Sequence, residues 1–171
     1  MATELSIEEL AERNPWWYAP EAIDGDPLVR RALSASIRWF PQVFDFEDLK
    51  RDAVYMLRGP RQVGKSTALR LLVRKLLYEH HTPPRSILYL SCDPLANREA
   101  LRRTLLNYLR WAPSGRRYLF LDEVTQIPGW QLAIKDLYDT GHLTNVCVVA
   151  CGSHALDVQR GAELLPGRRG D

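Results

Sequence analysis

Gly59-Pro60-Arg61-Gln62-Val63-Gly64-Lys65-Ser66 satisfies the pattern G-x-x-x-x-G-K-[ST], with Thr67 directly after it. The glycines permit a tight loop whose backbone N–H groups turn inward on a phosphate. A helix opening at Lys65 aims the positive end of its dipole at the same anion, and the Lys65 ammonium reaches β- and γ-phosphates. The Ser66 hydroxyl is offered to Mg2+. The chemistry predicted is the binding of a nucleoside triphosphate together with its metal.

A second group complements the first. Tyr118-Leu119-Phe120-Leu121-Asp122-Glu123 is an apolar run delivering two consecutive carboxylates at its C-terminal end, which is where open parallel sheets place their ligands. Asp122 is assigned to Mg2+, directly or through water. Glu123, sent to the other side by strand alternation, is assigned to orient and deprotonate an attacking water.

These residues need a scaffold, and the sequence predicts an α/β one. Ala53-Val54-Tyr55-Met56-Leu57 reads as a buried strand feeding the glycine loop, with the strand itself spanning 54–58. The following helix carries Ala68, Leu69, Leu72, Leu76 and Leu77 on one stripe and breaks at Thr82-Pro83-Pro84. Further strands are expected at 86–90, 118–121 and 146–150, separated by helices at 98–110 and 130–140, the last closed by Gly141. Such alternation is the pattern of βαβ units around a mostly parallel sheet.

Residues 1–50 form a helical and aromatic arm ahead of a core at 51–171. Ser6-Ile7-Glu8-Glu9 has capping-box spacing before a short helix that ends ahead of Asn14-Pro15. Asp26-Pro27 is an N-cap and N1 pair for a second helix bearing Leu28, Leu33, Ile37 and Trp39. Trp16-Trp17-Tyr18 either packs the arm onto the core or stacks on a nucleotide base.

Composition narrows the class further. The chain has 171 residues, 46% apolar and 26% charged, values ordinary for a soluble domain. No apolar run approaches the ~20 residues that span a bilayer, and the acidic opening lacks the basic and apolar regions of a secretory signal, so a cytoplasmic address is expected. Cys92, Cys147 and Cys151 fall in or beside expected strands and read as small core residues. Residues 1–50 hold five Lys/Arg against ten Asp/Glu, a balance of −5, whereas 51–171 hold eighteen against eleven, or +7. A basic core suits phosphate ligands; Arg98, Arg102, Arg103 and Arg110 form either a DNA-facing stripe or a solvated helix face.

The sequence resembles AAA+-like ATPases of bacteria and archaea, in particular the group whose ATP-binding domain precedes a C-terminal domain of unknown role. The likeness is carried by 57–67, by Leu121-Asp122-Glu123-Val124 leading into Ile127-Pro128-Gly129-Trp130, by Gly152-Ser153-His154-Ala155, by Leu165-Pro166-Gly167-Arg168-Arg169-Gly170 and by Asn14-Pro15-Trp16-Trp17. It implies a P-loop NTPase three-layer sandwich with strand order 5-1-4-3-2, ATP and Mg2+ as ligands, and Thr67 near the α-phosphate. In this class a polar residue ending the strand beside the acidic pair meets the γ-phosphate or the attacking water. Ser153 is the best placed here, with His154 the alternative and a structural turn after Gly152 the third reading. Arg168 or Arg169 is either an arginine finger or part of a basic tail. The family pattern continues into a fifth strand, whereas this sequence stops at Asp171, so an incomplete core with slow hydrolysis is expected. The first strand would then lie at a sheet edge, for which the N-terminal arm is a candidate cover.

Two function classes emerge. The first is an Mg2+-dependent ATPase whose hydrolysis drives a conformational change in a protein partner, alone or as an oligomer. The second is a nucleotide-gated interaction module, DNA-associated or not, in which turnover is incidental. A small-molecule kinase fits less well, because Asp122-Glu123 favours water activation and no arginine-rich lid is evident. Lys135-Asp136 lies within an expected helix and supplies no guanine-reading motif.

Overall fold

The computed structural model describes residues 4–35, 49–60 and 62–153. Four strands, β1 (Val54–Arg58), β2 (Ile87–Ser91), β3 (Arg117–Asp122) and β4 (Val146–Gly152), form one sheet in the order β1-β4-β3-β2. Every pairing is parallel, with Tyr55 opposite Val149, Leu119 opposite Val148 and Ser91 opposite Asp122. This reproduces the 1-4-3-2 portion of the expected order; the fifth strand is not among the described residues.

The helices are α1 (Ile7–Arg13), α2 (Pro27–Ser34), α3 (Lys65–Tyr78), α4 (Arg98–Trp111) and α5 (Trp130–Asp139). Their ends follow from local chemistry. Ser6 and Glu9 complete a reciprocal capping box on α1. The Asp26 side chain accepts from Leu28 N and Val29 N to start α2. Asn97 caps α4 through Ala100 N, and Gly141 leaves α5 at φ 78°. In α3, Ala68, Leu69, Leu72, Leu76 and Leu77 are all buried, and the helix packs against β2, β3 and β4. α4 and α5 pack on each other. In α2 the buried residue is Val29, while Leu33 is exposed; Ile37 and Trp39 lie outside the described residues.

In its described residues the arm covers the β2 edge, at the opposite end of the sheet from β1. Asn14 grips Tyr89 twice: its amide nitrogen donates to Tyr89 O at 3.0 Å, and its oxygen accepts from Tyr89 N at 2.7 Å. The indoles of Trp16 and Trp17 both donate to Ile87 O, at 3.3 and 2.7 Å. Trp16 and Trp17 are buried, and Trp17 stacks on Tyr108 with ring centroids 5.6 Å apart. These two tryptophans thus serve packing, while Tyr18 remains exposed. The result is visible in the strands: the apolar residues of β2 are buried throughout, whereas Val54, Tyr55, Met56 and Leu57 of β1 are half-buried. All three cysteines are free and buried. Among the described residues no helix is long and apolar enough to cross a membrane.

Candidate functional site

β1 ends at Arg58 and the chain turns through the glycine loop into α3. Gln62 and Gly64 both adopt left-handed backbone, at φ 65° and 88°, a conformation that lets neighbouring N–H groups converge on an anion. No side chain caps α3, whose N-cap is Gly64, so the first-turn N–H groups keep their capacity to bind a phosphate. Space in the loop is tight: a Cβ on Gly59 would lie 3.0 Å from Val63 Cγ2. Pro60 and Val63 are exposed, and Ser66 and Thr67 sit half-buried on the first turn of α3.

Lys65 is buried, and its ammonium is turned toward the loop. Nζ donates to Gly59 O at 3.1 Å, Pro60 O at 2.9 Å and Ser153 Oγ at 3.4 Å, and lies 3.9 Å from Glu123 Oε1. Ser153, one residue past β4, donates to the Glu123 carboxylate, its Oγ being 2.8 and 2.9 Å from the two oxygens. The loop lysine, the strand-end serine and the second acid therefore meet at one place.

The aim of Glu123 has a different origin from the one expected. β3 ends at Asp122, and Glu123 takes a left-handed conformation at φ 51°. Its direction is set by that turn, which leads into the 3-10 segment Val124–Gln126, and strand alternation does not apply. The turn is braced by β4, because a Cβ added to Gly152 would fall 2.3 Å from Thr125 Cγ2 and 2.4 Å from Thr125 Oγ1. Gly152→Ala is expected to cost about 1–3 kcal/mol of stability, as overpacking does, and to shift Glu123. Thermal unfolding measures the first effect; an unchanged melting temperature would mean that the turn yields without penalty.

Asp122 is 5% exposed. The Tyr89 hydroxyl donates to Oδ2, and the Cys151 thiol donates to Oδ1 at 2.6 Å. Burial, and then the neighbouring Asp122 carboxylate, push the Tyr89 hydroxyl well above the ordinary phenol range, so it remains a donor. The Cys151 thiol is raised in the same way, by burial first and Asp122 second. Among the described residues the side-chain hydrogen bonds to the buried Asp122 carboxylate come from two neutral donors, which leaves it short of positive charge. That demand, with the Ser66 hydroxyl on the helix that follows the loop, fits a hard divalent cation with oxygen ligands such as Mg2+.

Sequence reasoning missed Tyr89, Cys151 and the steric role of Gly152. A signal for Tyr89 exists: it lies two residues before Ser91, the Cα partner of Asp122, and so faces the same side of the sheet, and a phenol in a buried strand needs a partner. Arg61, His154, Arg168 and Arg169 lie outside the described residues. The proposed arginine stripe is interrupted by acids. Arg102 and Arg103 both bond Glu99, at 3.0 and 2.8 Å, and Arg102 reaches Asp136 at 3.4 Å. Hydrogen bonds from those two guanidinium groups bring the Glu99 carboxyl down to about 2.

A parallel sheet that brings a glycine loop, its lysine and a strand-end acid together at the carboxyl ends of its strands has the organisation of the P-loop nucleoside triphosphatases. Within that class, residues 51–171 match the AAA domain family, and the chain belongs to it. At the level of that family it is a nucleotide-binding, ATPase-type module. A search of curated proteins finds no significant match.

Proposed function

We propose that the chain binds ATP with Mg2+ and hydrolyses it to ADP and phosphate. The observation that carries this reading is the convergence of Lys65, Ser153 and Glu123 within 4 Å of one another. The backbone from Gly59 to Thr67, including Arg61, Gln62 and Val63, receives the phosphates. The Lys65 ammonium exchanges the carbonyls of Gly59 and Pro60 for β- and γ-phosphate oxygens. Glu123 orients a water and takes its proton as the oxygen attacks the γ-phosphorus, and the bond from that phosphorus to the β-phosphate oxygen breaks. Ser153, which donates to Glu123, turns to the γ-phosphate when ATP binds. Ser66 and Asp122 would hold Mg2+, which when bound would supply positive charge to the phosphates. Arg168 is the candidate finger for the remaining charge. The conformational cycle acts on a protein partner, and a cytoplasmic address goes with this role.

A titration of the chain with ATP, with GTP and metal-free controls, tests the reading. Removing one charge-assisted contact in Lys65→Ala is expected to weaken ATP binding by between about tenfold and a hundredfold, the equivalent of the 1.5–3 kcal/mol such bonds contribute. Equal affinity in wild type and variant would remove the assignment.

A further inference from the structure

Asp122 stands at the end of a line of side chains that begins in the N-terminal arm. Asp26 uses one oxygen to cap α2, accepting from Leu28 N at 2.9 Å and Val29 N at 3.2 Å. Its other oxygen lies 3.0 Å from Nη1 of Arg70, in the second turn of α3. The Arg70 guanidinium sits over the Tyr89 ring, 3.7 Å from the centroid, and 5.9 Å from that of Trp16. The Tyr89 hydroxyl then meets Asp122 Oδ2.

The arm thus fixes Tyr89 twice. Asn14 holds its backbone through both the N–H and the C=O, and the Asp26–Arg70 pair holds its ring. Both members of that pair are largely shielded, their side chains 13% and 18% exposed, so each needs the other's charge. Asp26, Arg70 and Tyr89 line an open pocket of about 650 Å³, so the ion pair adds to packing in holding the guanidinium over the ring. At the far end, a carboxylate turns readily about its terminal torsion. Bonded by Tyr89 on one oxygen and Cys151 on the other, Asp122 has a single plane.

We propose that Tyr89 is a positioning residue that aims Asp122 at the metal, and that the N-terminal arm acts on the metal site through the Asp26–Arg70 pair. This rests on the Mg2+–nucleotide reading above. Partners that orient a metal-ligating carboxylate from behind typically change metal affinity by 10–100-fold when removed. The arm is thereby part of the apparatus of the nucleotide site.

The test uses the full chain, a non-hydrolysable ATP analogue and Mn2+ followed by paramagnetic resonance, in wild type, Tyr89→Phe, Asp26→Asn and the double variant. Asn caps a helix as well as Asp does, so Asp26→Asn removes the charge and keeps α2. Metal-free analogue affinity, which a misfolded variant would lose, is expected to stay within about twofold of wild type throughout. Mn2+ affinity is expected to fall about tenfold in Tyr89→Phe and about threefold in Asp26→Asn. In the Tyr89→Phe background, Asp26→Asn is expected to add nothing. Mn2+ affinity unchanged in Tyr89→Phe would overturn the positioning role, and an equal Asp26→Asn loss in both backgrounds would overturn the arm's route through Tyr89. A wild type that takes up no Mn2+ with the analogue would instead defeat the nucleotide reading itself.

Discussion

Glu123→Gln is expected to lower steady-state ATP turnover by about 10²–10⁴-fold, the usual contribution of a positioned general base, and to leave ATP bound. The substitution keeps the shape of the side chain and an oxygen that can accept from Ser153, whose hydroxyl bonds both Glu123 oxygens. What it removes is the capacity to take a proton, and with it the negative charge 3.9 Å from the Lys65 ammonium. Phosphate release measures the first effect; the nucleotide retained after gel filtration measures the second. Turnover within tenfold of wild type would place water activation on another group. The same variant separates an ATPase from a nucleotide-gated module, because a gate would keep its biological output when turnover is lost.

Asn14→Ala should destabilise the fold by about 2–6 kcal/mol, since it strands two buried backbone groups and each unsatisfied group costs about 1–3 kcal/mol. Asn14 is fully buried. Besides its two bonds to Tyr89 it donates to Leu10 O at 2.8 Å, tying α1 to the same point. Against a total stability of roughly 5–15 kcal/mol for a domain, such a loss is severe, and it is read directly from the midpoint of denaturant unfolding. A shift equivalent to less than about 1 kcal/mol would mean that water replaces the amide at the strand edge without penalty.

The parts of this fold that were legible in the sequence are those encoded locally. Apolar runs marked all four strands, Ser6 with Glu9 and Asp26 with Pro27 marked two helix starts, and Gly141 marked the end of α5. The loop from Gly59 to Ser66 and the couplet Asp122-Glu123 could be read because their spacing is itself the chemistry. What escaped depends on contacts between residues far apart in the chain. Asn14 is 75 positions from Tyr89, and Tyr89 is 33 from Asp122; alternation gives the face of Tyr89 but does not name either partner. The aim of Glu123 escaped for another reason: alternation holds only while the strand lasts, and β3 stops one residue earlier. Nor does a helix face rich in arginine announce that Glu99 and Asp136 balance it.

The arm's grip on β2 bears on where this molecule can be divided. Leu5, Leu10, Trp16, Trp17, Ile23 and Val29 belong to the same hydrophobic cluster as the strands, yet the family match begins only at residue 51. An excision made at that boundary would uncover the flank of a mostly apolar strand and free the backbone groups of Ile87 and Tyr89 to recruit neighbouring molecules. The border of the family match and the border of the hydrophobic core therefore differ here.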